Sequence, residues 1–164
     1  MRIVFIAILL LSLCSCANIG TGSDKNARVA QQFFQHYAKR EDFVTFMSFY
    51  AEHAQLIDVV YGHHAQSKTE IRQFLDWQRG EFVLLKGDNI LTVSKQTSQA
   101  NTVITQGYFH RFSYNGETMG PWFFSITLEF DNNHKIIKQT DWINYTPREN
   151  FLGGKDVNSL IPVN

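Results

Sequence analysis

Cysteine is almost missing from this sequence. It has two, Cys14 and Cys16, and both precede Ala17. The rest of the chain therefore has no thiol for a disulfide, a zinc site or a nucleophile. Excess charge is missing too: 15 basic residues face 15 acidic ones, and no basic block interrupts the chain. Nucleic acid is not an expected partner on that balance. There is no internal repeat and no low-complexity segment. The one unbroken apolar run, Ile3 to Leu13, is too short to cross a ~30 Å hydrocarbon core as a helix.

That run follows Met1-Arg2 and leads into small residues, which is the pattern of a secretory signal. Leu13-Cys14-Ser15-Cys16 resembles the lipobox of bacterial lipoproteins. The resemblance implies cleavage before Cys16 and lipid on that cysteine. An ordinary cleaved signal without lipid is the alternative. Ala17, rather than Asp, after the cysteine favours the outer membrane by the same likeness. The expected organisation is a signal over 1–15, a tether over 16–24, one domain over 25–146 and a tail over 147–164.

What the chain does have is rings: 14 Phe within an aromatic content of 14%. In a chain of 164 residues with 44% hydrophobic content, that suits one domain with a ring-lined core or cavity. Asn101 to Tyr145 reads as three successive antiparallel strands. Thr102 to Tyr114 places Ile104, Tyr108, His110 and Phe112 on one face, and Asn115-Gly116 closes a hairpin. Trp122 to Phe130 follows, with Trp122, Phe124, Ile126 and Leu128 read as inward. Hairpin parity conflicts with that reading, and a bulge at Gly120-Pro121 would reconcile the two. Lys135 to Tyr145 puts Ile137, Gln139, Asp141, Ile143 and Tyr145 on one face.

Ahead of these strands come two helical stripes. Val29, Phe33, Phe34 and Tyr37 form the first, and Phe46, Phe49 and Tyr50 the second. A short strand over Ala54 to Val60 carries Asp58, and Ser67-Lys68-Thr69-Glu70 is a capping box that starts a third helix. Phe82 to Ser98 holds another strand. The order predicts an α+β fold with about three N-terminal helices on a curved antiparallel sheet that encloses a pocket.

Two segments carry a family likeness. The run from Phe49 to Asp58, with Gly62 and Ser67 to Phe74, resembles the SnoaL-like members of the NTF2-like superfamily; so does Lys135 to Asn144. The likeness covers roughly Asn26 to Tyr145. It implies a cone around an apolar pocket, often in a homodimer packed sheet to sheet. Asp58 matches the catalytic base of ketosteroid isomerases, whose donor positions here fall on Phe33 or Phe34 and on Ser125 or Ile126. In limonene-epoxide-hydrolase-like members the matched positions become Tyr108, His110 and Asp141. Scytalone dehydratase, with pocket histidines, an Asp and a Tyr, supplies the analogy for dehydration.

The candidate catalytic groups are thus His110, Asp141, Asp58 and Tyr108, with Asp141 expected to orient the imidazole and favour its charged form. Phe112, Trp122, Phe124, Ile126 and Ile143 are the expected walls for a small apolar molecule. A core histidine, a backbone-bonded carboxylate and a helix cap are the structural uses of the same residues. His63-His64 match no zinc spacing, so neither metal nor cofactor is expected. Two functions stay open. One is a lipid-anchored, periplasm-facing hydrolase, dehydratase or isomerase; the other is a non-catalytic domain that binds a ligand or a protein partner in the cell envelope.

Overall fold

The computed structural model describes residues 22–145 and 161–162. Cys16, the leader and most of the expected tail lie outside the described residues. Helix α1, Gly22–Lys39, buries Phe33 and Phe34 of the predicted stripe together with Asn26 and Ala30, while Val29 and Tyr37 are half-buried. Gly22, Ser23 and Asp24, expected in the tether, form its first turn. Helix α2, Phe43–Ser48, starts where the Asp42 side chain accepts from Thr45 N at 3.0 Å. Strand β1, Tyr50–Asp58, is longer than expected and takes in Tyr50 from the second stripe. Strand β2, His63–Ala65, leads to α3, Lys68–Phe74, which Ser67 caps through Glu70 N at 3.2 Å.

Seven more strands follow. They are β3 Phe82–Leu84, β4 Leu91–Gln99, β5 Thr102–Phe109, β6 Phe112–Tyr114, β7 Glu117–Met119 and β8 Trp122–Phe130; β9, Ile136–Ile143, ends the series. The main sheet has the order β2-β1-β9-β8-β5-β4, and β3-β6-β7 make a smaller one. The fold class is α+β, but the sheet is mixed. β1 lies parallel to β9, where an antiparallel sheet was expected. The long connection between those two strands leaves either direction open, so local turns could not fix it.

The expected strand over Thr102 to Tyr114 is two strands. It breaks at His110-Arg111, and the outer part leaves the main sheet as the β6–β7 hairpin. Pairing nevertheless runs on without a slip, from Phe109 opposite Trp122 to Phe112 opposite Met119 and Tyr114 opposite Glu117. No register shift at Gly120-Pro121 is therefore needed. The inward positions of β5 are Val103, Thr105, Gly107 and Phe109, opposite in parity to the expected set. Gly107 explains the choice: a Cβ there would lie 2.8 Å from Phe124 Cζ and 2.1 Å from Thr92 O. Phe124 fills that space and stacks on Phe34 of α1, with centroids 6.0 Å apart. Trp122, Phe124, Ile126 and Leu128 do share the inner side of β8.

Candidate functional site

The chemistry gathers where β1 and β9 run side by side. Asp58 stands opposite Asp141, and the two are 1% and 3% exposed. Asp58 ends its strand, so the chain turns over it. Its Oδ1 accepts from Val60 N at 3.0 Å and Tyr61 N at 3.1 Å, while the Tyr145 hydroxyl donates to Oδ2. Asp141 has no such turn. Gln139, two residues earlier on the same face, donates from Nε2 to both of its oxygens at 2.8 and 3.0 Å. The Tyr50 hydroxyl donates to Gln139 Oε1. An ionised carboxylate can only accept, so it selects the NH2 side of that amide and leaves the carbonyl for Tyr50.

Burial is the largest influence on Asp141 and the Asp58 charge adds to it; the Gln139 bonds pull the other way, and the carboxyl settles at about 7. Tyr37, on the last turn of α1, is pushed up by burial and then by the charge of Asp141, against the pull of Arg40. Tyr145 is raised by burial and by its bond to Asp58.

Asp141 opens onto a cleft of about 220 Å³. Its walls are mainly rings and aliphatic side chains, including Trp77, Phe82, Phe109, Phe112, Trp122 and Ile143. Polar groups on the same walls include Tyr37, Arg40, Asp76, Arg79, Tyr114 and Tyr145. Trp77 Nε1 is buried with no partner among the described residues. A wider groove of about 980 Å³ lies between α1 and β4, but neither buried aspartate reaches it. The smaller cleft is therefore the one that the Asp141 carboxyl reaches.

No family model and no curated protein matches the chain. Solved structures do. A candidate SnoaL-like polyketide cyclase from Shewanella denitrificans OS-217 superposes with a TM-score of 0.61 at 19% identity, over 74% of this chain and 91% of that one. An LEH-like epoxide hydrolase from M. tuberculosis gives 0.59 at 13% identity, over 74% and 84%. An NTF-2 like protein of unknown function from Burkholderia xenovorans LB400 gives 0.55 at 17% identity, over 79% and 91%. The fold is NTF2-like.

In this NTF2-like frame the expected site residues separate. Asp141 reaches the cleft, and Asp58 sits beside it behind Tyr145. Phe112, Trp122 and Ile143 line the cleft as expected, whereas Phe124 and Ile126 face inward without reaching its walls. His110 and Tyr108 require correction: both lie on the outer side of the sheet. The His110 Nε2 pairs with Thr92 Oγ1 at 2.9 Å, and its ring meets Tyr108 edge to face at 5.2 Å. No carboxylate raises the imidazole. Burial alone lowers its pKa, the reverse of the expected effect of Asp141. His63 and His64 are exposed on β2, with His63 against Phe74 at 4.8 Å.

Sequence reasoning missed Tyr37, Gln139 and Tyr145 as site groups. Tyr37 is a phenol on the first helix that lines the cleft. It follows Phe33 by one helical turn on the same stripe, and that spacing is its one signal in the sequence.

Proposed function

We propose that this chain is a cofactor-independent acid–base enzyme acting on a small apolar molecule, with Asp141 moving the proton. The observation that carries this reading is a buried carboxyl held at about 7 on the wall of an aromatic cleft. Such a group is a stronger base than an ordinary carboxylate and still gives its proton up near neutrality. Tyr37 supplies a donor for the substrate oxygen, and Tyr145, oriented by Asp58, borders the same space. Hydration, dehydration and isomerisation of an oxygenated hydrocarbon all need those two services. The solved relatives with epoxide hydrolase and polyketide cyclase names agree with that class.

The same proposal places the domain in the bacterial cell envelope, facing the periplasm and held to the outer membrane by lipid on Cys16. The sequence pattern around that residue supports it. The mass of the mature protein from a Cys16→Ser variant tests this, because an unchanged lipid content would refute the anchor.

The activity is tested with a panel of small epoxides, hydroxy-ketones and enones, followed by product mass and by deuterium uptake from solvent. Turnover by the wild type and a loss of about 10²-fold or more in Asp141→Asn are expected. Equal rates in the two would remove Asp141 from the chemistry. A bound molecule recovered unchanged from both would favour the non-catalytic domain.

A further inference from the structure

We infer that the cleft takes an anionic ligand, a carboxylate on an aromatic or alicyclic body, with its charged end on the Arg40 guanidinium. This names the substrate class for the site proposed above and rests on that reading. Arg40 directly follows α1, and its N–H closes the helix on His36 O at 3.0 Å. The residue has φ 53, in the left-handed region where a helix end ordinarily has glycine. A long side chain is thus held at a backbone position that disfavours one.

The guanidinium is placed with care. Its Cζ lies 4.1 Å from the Phe82 ring centre and 5.5 Å from that of Trp77. One Nη2 hydrogen goes to Trp77 O at 3.1 Å. Two rings and a carbonyl fix the plane, and no ion pair with a carboxylate occupies it among the described residues. Two acids share the cleft, Asp141 and Asp76. The first is bonded to Gln139 and the second accepts from Gln78 N.

A half-buried cation without a counterion is a costly feature unless a ligand supplies the charge. The guanidinium plane matches a carboxylate through paired donors, which an ammonium cannot do. Behind it, the rings of Phe109, Phe112 and Trp122 provide an apolar wall for the body of the molecule. Arg79 also borders the cleft, but it is exposed and bonded to Phe74 O at 2.7 Å, so solvent screens its charge.

Calorimetric titration with 2-naphthoate and 2-naphthamide tests the inference, since the two probes have nearly the same shape and differ in charge. Wild type is expected to bind the naphthoate about tenfold tighter or more. In Arg40→Gln that preference should vanish while naphthamide affinity stays. Arg40→Lys, which keeps the charge without the paired donors, should retain only part of it and serves if the Gln variant does not melt cooperatively. Equal affinities in wild type, a preference that survives Arg40→Gln, or no naphthoate binding at millimolar concentration would overturn the inference. The outcome is independent of turnover. Asp141→Asn should keep the naphthoate preference even where it abolishes activity, so this claim and the acid–base claim fail separately.

Discussion

Asp58 and Asp141 are register partners on neighbouring parallel strands, and both point into the protein. Two buried carboxylates this close are compatible only if their surroundings treat them differently. Asp58 accepts from two backbone N–H groups and a phenol, whereas Asp141 accepts from a single amide. The strand end at Asp58 makes the difference, because only there does the chain turn back and present free N–H groups. Asp58 is thus tied to backbone and phenol donors, while Asp141 is held by one side-chain amide in a buried setting that raises its pKa.

Stability should report that exchange. The Asp141 carboxyl rises from 3.8 to about 7 on folding. Between those values the folded protein keeps a proton that the unfolded chain has lost, so stability falls as pH rises from about 4 to about 7 and levels off above. The full effect is on the order of 4 kcal/mol. Asp141→Asn removes it. In paired melts, the variant should gain on wild type between about pH 4 and about pH 7, and parallel curves would contradict the raised carboxyl.

The hydrogen-bond chain behind Asp141 can be cut at its far end. Tyr50→Phe leaves Gln139 Oε1 buried without its donor. A cost of about 1–3 kcal/mol is expected from that loss. The freed amide can also turn its carbonyl toward Asp141, which would raise the carboxyl further. Carbon-13 chemical shifts of the Asp141 carboxyl across pH would show the added rise, and an unmoved midpoint would mean that Gln139 stays oriented without Tyr50.

Much of the fold was legible because its signals are local. The Ser67 cap, the α1 stripe and the Asn115-Gly116 hairpin all depend on neighbours in sequence. The inner face of β9 was legible from Gln139 to Ile143, but at its start Ile136 is buried in place of the expected Ile137, next to the register shift at Glu129-Phe130. The face of β5 was not. Its buried side contains Thr105 and Gly107, while Ile104 points outward, so apolarity gives the wrong parity. What decides it is the ring of Phe124 on the next strand, a contact that no window on β5 contains. The same error moved His110 and Tyr108 into the pocket and kept Phe109 out of it. The pairing of Asp58 with Asp141 was illegible for another reason: a parallel neighbour distant in sequence has no turn to announce it.

Gly107 gives a direct test of that packing. Its φ lies outside the left-handed region, so space alone excludes a side chain. The nearest obstacle is the Thr92 carbonyl oxygen, which is backbone and moves only if β4 and β5 separate. Gly107→Ala should cost about 1–3 kcal/mol or more in denaturant melts. Trimming the second obstacle with Phe124→Leu should not restore it. Recovery in the double variant would mean that the ring, and not the strand pairing, sets the limit.

The outer side of the main sheet makes the last prediction. Trp142 is 56% exposed and Ile104 42% exposed, with Tyr108 and Phe123 half-buried on the same side. Phe109, on the same strand as Ile104 and Tyr108, faces the interior and takes no part in this surface. A sheet face that exposes a large indole beside an aliphatic side chain is a candidate association surface. The expected assembly is a homodimer packed face to face. Sedimentation at micromolar concentration should give the dimer mass for wild type. Trp142→Glu, which places a charge at the centre of a self-complementary contact, should give the monomer with little change in its own melting curve. Because the cleft opens on the opposite side of the sheet, the monomeric variant should keep its binding of 2-naphthoate. A wild type that sediments only as monomer would remove the dimer, and a Trp142→Glu monomer that loses naphthoate binding would show that the two faces are not independent.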